Sequence, residues 1–198
     1  LEKQQVLVKA ITQYNASFLF FEKVITSLNP AIFASGTNGI LALQGQLACF
    51  HSYLFYFDAP LATFLSGQGL RCDMYAQGWF ITLFTRRTNV ELALFVIDNM
   101  LQRGYIEEPH KLISLAVALL TRHRQKLMHS SSIDELPSFL AHLCFQDMQE
   151  VSECFNIAEC LQAAAPRVLL NDASISGFDV AISTEKREVI LQDLMNRP

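Results

Sequence analysis

Large apolar side chains recur in this chain at helical spacing, and that recurrence narrows its architecture more than any other feature. Tyr75, Trp79, Phe80, Leu83 and Phe84 fall at i, i+4, i+5, i+8 and i+9, the stripe of an amphipathic helix and not the alternation of a strand. Arg86-Arg87-Thr88-Asn89 breaks the stripe. Asn89 is placed to cap a further helix through Leu101, apolar nearly all round, with Gly104 suited to the left-handed position after its end.

The same spacing appears along most of the chain. Val6, Leu7, Ala10, Ile11 and Tyr14 form one stripe, and Ser17 to Leu28 forms a second helix stopped by Asn29-Pro30. Phe18, Phe20, Phe21, Val24 and Ile25 surround that helix on most sides, which predicts burial. Ala34 to Gly39 reads as a loop. Leu41 to Tyr56 reads as a helix with Leu43, Leu47, Phe50 and Leu54 as its seam. Asp58-Ala59-Pro60 restarts a short helix, Asp58 as cap and Pro60 in the first turn, ending near Ser66-Gly67 with Gln68-Gly69 continuing the turn.

After Glu107-Glu108-Pro109 comes an apolar helix closed by Arg122, Arg124 and Lys126. Ser130 to Ser132 is a linker, and Ser132 or Asp134 caps a short helix with Phe139, Leu140 and Leu143. Asp147 to Glu150 reads as a capping box for a helix ended by Pro166. Asn171 to Thr184 reads as a loop, and Glu185 to Asn196 as a last helix. No convincing strand emerges and no repeat period is visible. The expectation is an all-α fold, an irregular multi-helix bundle of roughly eight to ten helices.

Composition sets limits on function. Of 198 residues 51 % are apolar, enough for a large core, and the net charge is −4, which gives no basic face for nucleic acid. Cys49, Cys72, Cys144, Cys154 and Cys160 are odd in number and irregular in spacing, which points to small core residues in a reducing compartment. His51, His110, His123, His129 and His142 are scattered, so no metal site is expected. Ser130 to Ser132 lies in no nucleophile elbow, and no phosphate-binding glycine loop occurs, so no cofactor is expected either. Apolar runs are far short of the roughly 20 residues that span a bilayer. The chain begins at Leu1 rather than Met, as a segment of a longer protein would.

Three blocks together carry a family pattern. FDAPLATFL spans Phe57 to Leu65, YAQGWFITLFTR spans Tyr75 to Arg86, and LFVID spans Leu94 to Asp98. Their order resembles the later half of a TBC domain, the Rab GTPase-activating fold. That half runs L-x-H-D-P-x-L-x-x-H-L, then Y-A-x-x-W-F-L-T-L-F-A-R, then V-L-R-I-W-D. Ile97 stands where the family usually has Trp before the Asp. Ile133 to Leu140 resembles the helix that closes the domain, and Met148 to Leu169 the one after it. The resemblance covers about residues 17 to 169, which implies a domain over 1–169 and a tail over 170–198. Trp79, Phe80 and Phe84 are expected in the core, and Asp98 as a hydrogen-bonding core or interface residue.

The resemblance also implies a chemistry. Active family members use an Arg from I-x-x-D-x-x-R and a Gln from Y-x-Q-G to stimulate GTP hydrolysis, and an arginine supplied in trans is worth ~10³–10⁵ in rate. Tyr75-Ala76-Gln77-Gly78 matches Y-x-Q-G, yet residues 1 to 70 contain no arginine, and the residues after Gly78 resemble the family's later helix. The match therefore reads as coincidence, with Gln77 as the catalytic alternative. Ile97-Asp98…Arg103 has the wrong spacing for the arginine motif.

The leading expectation is a TBC-like domain that binds or regulates a Rab-type small GTPase, or another vesicle-traffic protein, without catalysis. Arg86 and Arg87 are its candidate partner contacts. It would be cytoplasmic, with endomembrane recruitment through partners only. Two alternatives stand beside it: part of an active GTPase activator whose Arg and Gln lie outside this chain, and a helical scaffold unrelated to GTPases.

Overall fold

The computed structural model describes residues 36–105, 108, 110–129 and 135–165, with isolated positions 18, 19, 22, 32 and 33. The stripe over 6–14, the caps at Ser132 and Asp134, the loop over 171–184 and the helix over 185–196 lie outside the described residues.

Nine helices and no strand are present among the described residues. They are α1 (Thr37–Phe57), α2 (Ala59–Gly67), α3 (Cys72–Tyr75), α4 (Gln77–Ile81), α5 (Val90–Gln102), α6 (His110–Arg122), α7 (Arg124–Met128), α8 (Glu135–His142) and α9 (Met148–Ala164). The fold is all-α, as the spacing predicts, and no described helix is long and apolar enough to cross a membrane.

Helix α6 is the centre. Leu112 through Leu120 are all buried, because α6 packs chiefly against α9 on one side and α1 on another. Leu43, Leu47, Phe50 and Leu54 of α1 are buried as their spacing requires. Phe50 is the hub of an aromatic cluster, meeting the rings of Tyr75, Trp79 and Phe80 edge-on at 6.2, 6.2 and 5.9 Å. Each such side chain contributes about 1.5–3 kcal/mol when fully buried. Cys49 and Cys154 are buried, and burial pushes the Cys154 thiol up to about 12. Cys72 and Cys144 are half-buried and Cys160 is exposed, so only part of the cysteine set serves the core.

The caps are local chemistry. Leu61 N donates to Asp58 Oδ1 at 3.1 Å, Leu92 N to Asn89 Oδ1 at 2.7 Å, and Glu150 N to Asp147 Oδ1 at 2.8 Å. In the last case the reciprocal bond shifts by one residue: Glu150 Oε2 accepts from Gln146 N at 2.7 Å, not from the cap residue itself. At the other ends, Leu70 N reaches back to Leu65 O, and Tyr105 N to Met100 O, across Gly69 and Gly104 at φ 72 and 68.

Five expectations need correction. The stripe from Tyr75 to Phe84 is not one helix. It is α3 and α4 followed by a reversal in which Leu83 and Phe84 have φ 50 and 61. Thr37 to Gly39 opens α1 and is not loop, Gly36 at φ 68 turning the chain in. Helix α5 is a surface helix: Leu92, Val96 and Met100 face inward, whereas Val90, Glu91, Leu94 and Asp98 face solvent. Asp98 is accordingly not a core residue. Phe18 and Leu19 are 56 and 61 % exposed, so Phe18 is not in the core, and the rest of Ser17 to Leu28, Glu22 apart, lies outside the described residues.

The last correction concerns the basic close of the apolar helix. The chain breaks at His123, and Arg124 and Lys126 belong to α7. There, tertiary partners take them. Arg124 Nε lies 2.6 Å from Asp58 Oδ2, and Lys126 Nζ sits 4.5 Å from the centre of the Phe139 ring.

Candidate functional site

The segment from Tyr75 to Asn89 is built around one anchored indole. Trp79 Nε1 donates to Leu143 O at 3.1 Å, and its ring lies between Tyr75 at 5.6 Å and Phe84, stacked at 6.3 Å. Phe84 in turn touches Phe80 and Phe145, both at 6.1 Å. Trp79, Phe80, Leu83 and Phe84 are all buried. To bury Leu83 and Phe84 as well as Trp79 and Phe80, the chain must fold back after Ile81. Phe84 N closes the reversal on Trp79 O at 2.9 Å. Leu83 and Phe84 are both left-handed, at ~2–4 kcal/mol together, which the burial of the two side chains, ~3–6 kcal/mol, offsets.

The reversal leads into a corner tied by threonines. Thr82 Oγ1 donates to Gly78 O at 2.7 Å, Thr85 Oγ1 to Thr82 O at 2.6 Å, and Thr88 Oγ1 to Thr85 O at 2.8 Å. These three bonds hold the backbone that presents Arg86 and Arg87, both exposed, Arg87 at φ 67. The Arg86 guanidinium lies over Gly78: a Cβ built on that glycine would come 2.9 Å from Arg86 Nη1.

Within Tyr75-Ala76-Gln77-Gly78, Tyr75 and Ala76 are buried, Gly78 is half-buried, and Gln77 is exposed as the first residue of α4. Burial holds the Tyr75 phenol well above its usual titration range. Gln77 thus has a guanidinium from nine residues on beside its neighbour Gly78, a juxtaposition that no local pattern announces. No spacing rule brings Arg86 over Gly78 once the helix is broken; only the left-handed turn does.

Arg86 and Arg87 also differ from the other described arginines in charge balance. Arg71 pairs with Asp73, Arg103 with Glu159, Arg122 with Glu153 and Arg124 with Asp58. Among the described residues, Arg86 and Arg87 alone of the arginines have no carboxylate within ion-pair distance. The exposed apolar residues Met74, Ile81, Val90 and Leu94 flank them in sequence.

An all-α domain carrying an uncompensated basic corner on an aromatic core is the class that the geometry defines. The family model described as Rab-GTPase-TBC domain matches residues 5–128. The chain belongs to this RabGAP-TBC family. The matched span takes in the corner, starts ahead of Ser17, and stops short of α8 and α9. Neither the curated proteins nor the solved structures gave a match.

Proposed function

We propose that this chain is a TBC-type module that binds or regulates a Rab-type small GTPase in vesicle traffic without stimulating hydrolysis itself. Residues 1–169 would form the domain and 170–198 a tail. It would work in the cytoplasm and reach endomembranes through its partners. The carrying observation is that packing accounts for three of the four residues of Tyr75-Ala76-Gln77-Gly78, Gln77 alone being exposed. Tyr75 and Ala76 fill the core, and Gly78 seats the Arg86 side chain. The first seventy residues contain no arginine, and the one guanidinium that precedes Gln77 in this chain, Arg71, is paired with Asp73, so no free guanidinium upstream of Gln77 stands ready to neutralise a phosphoryl group in transit. Arg86 and Arg87 are the proposed partner contacts.

One observation favours a second reading, a GTPase activator in its own right. Gln77 is exposed, and the Arg86 guanidinium lies over the next residue, Gly78. An amide and a guanidinium are the two groups such chemistry uses. Against it, Arg86 rests on the chain's own backbone and does not project from a separate loop.

The deciding experiment is GTP hydrolysis by a panel of Rab proteins with and without the chain, alongside binding in both nucleotide states. Binding without acceleration is expected. Stimulation of ~10³-fold or more, lost in Gln77→Ala and in Arg86→Ala, would establish the second reading instead.

A further inference from the structure

We propose that the corner at Arg86 and Arg87, with the exposed apolar residues around it, docks an acidic amphipathic helix of a protein partner. The inference rests on the binding-module reading and specifies its contact chemistry.

Four observations carry it. First, the charge is uncompensated. Every other described arginine has a carboxylate, and these two adjacent ones have none among the described residues. A partner that brings carboxylates completes the pattern the rest of the molecule already shows, and guanidinium–carboxylate pairing is the stronger, directional form of such contact. Second, the corner is preorganised. The Thr82, Thr85 and Thr88 hydroxyl bonds fix its backbone, and Gly78, lacking a side chain, lets Arg86 lie against α4. Little ordering remains to be done on binding.

Third, apolar surface is exposed on both flanks. Met74 and Ile81 are 61 and 38 % exposed on the α3–α4 side, and Val90 and Leu94 are 77 and 59 % exposed on α5. Val90 and Leu94 are one turn apart, about 6 Å along the helix. Val90 follows Arg87 by three residues, no more than roughly 11 Å of chain. A partner helix with leucines one turn apart and acids at one end matches this layout. Fourth, the local acids choose between partner classes. Glu91 and Asp98 are exposed on the same face of α5 as Val90 and Leu94. An anionic bilayer would meet these carboxylates as repulsion, whereas a protein helix can place its acids at the arginine end alone. So small a surface belongs to the transient class of interfaces, below ~1,200 Å² in total.

The test uses the full chain and four probes. These are a synthetic helical peptide with leucines at i and i+4 and glutamates at one end, its lysine-for-glutamate counterpart, phosphatidylserine vesicles, and the Rab panel. The glutamate peptide should bind, more weakly as salt rises, and by roughly tenfold or more less well to Arg86→Glu/Arg87→Glu. Leu94→Asp should weaken it too. Because Arg86 packs on Gly78, Arg87→Glu alone serves as a second charge variant, with circular dichroism checking the fold. Equal binding of the two peptides, or indifference to these variants, overturns the proposal. Vesicle binding without peptide binding overturns it in favour of a membrane. GTPase binding untouched by the variants removes this surface and leaves the binding-module reading standing. Peptide binding without any GTPase binding keeps the surface and removes the GTPase.

Discussion

Arg124 Nε lies 2.6 Å from Asp58 Oδ2, while the other oxygen of the same carboxylate caps helix α2 by accepting from Leu61 N at 3.1 Å. One side chain therefore sets the start of α2 and ties it to α7, sixty-six residues away. The family-like block over Phe57 to Leu65 owes its place in the fold to this double use. Loss of the cap acceptor in Asp58→Ala costs about 1 kcal/mol, before the loss of the pair is added. Asp58→Asn keeps an acceptor and should cost less. Arg124→Gln should leave the cap intact and lose a partly salt-sensitive contribution, since Arg124 is half-exposed while the Asp58 carboxylate it leaves behind is largely buried. Urea midpoints at low and high salt check both, and additivity of the two changes would refute the coupling.

Trp79 is the sole tryptophan, and its indole is buried and bonded to Leu143 O. Its emission should be blue-shifted and poorly quenched by iodide until the chain unfolds. Trp79→Phe removes the donor and leaves a buried carbonyl unpaired, at about 1–3 kcal/mol. Trp79→Ala also opens a cavity and should cost about 3–5 kcal/mol. Thermal melts followed by circular dichroism read both; a Trp79→Phe melt equal to wild type would show that the hydrogen bond contributes nothing.

Gly78→Ala separates position from stability. The new Cβ meets the end of the Arg86 side chain at 2.9 Å, and that side chain can swing away. Stability should change by less than about 1 kcal/mol, since alanine is the better helix former. Partner binding through Arg86 should weaken. Unchanged binding alongside unchanged stability would mean that the guanidinium's seat on Gly78 is irrelevant to recognition.

His110 should make the chain sensitive to acid. Burial lowers its pKa from the usual 6.5, outweighing the Glu108 carboxylate 3.1 Å away, which raises it. The native imidazole thus resists a proton that the unfolded chain accepts. Its contribution is fully present above the unfolded value and is lost as pH falls through the lower, native one. Urea midpoints should drop as pH falls below the usual 6.5, and His110→Asn should flatten part of that slope. An identical slope in the variant would assign the sensitivity to other groups.

Much of the helical framework is legible from residue spacing and caps. Asp58, Asn89 and Asp147 each cap where the sequence predicts, because a cap needs only a short acceptor three residues before the amide it satisfies. Gly104 announces its left-handed end because glycine adopts positive φ without a steric penalty, and Gly69, read only as continuing a turn, adopts the same conformation. Leu83 and Phe84 adopt the same conformation with no such signal. Their residue types argue for helix, and the reason they leave it is the position of Trp79, Phe80 and Phe145 in space.

The candidate site divides along the same line. The break in apolar spacing is enough to put Arg86 and Arg87 at an exposed turn. It is not enough to leave them without carboxylates, or to rest Arg86 on Gly78 beside Gln77, since pairing depends on which residues distant in sequence arrive nearby. Most of the helices, many of their ends and the family could be read from the order of residues, because they rest on spacing and short-range hydrogen bonds. Three-dimensional packing was needed to establish where an apolar stripe must break to bury all its rings, which face of α5 meets solvent, and which charges go unanswered. Those depend on competition for a shared core, a quantity no local stretch of residues contains.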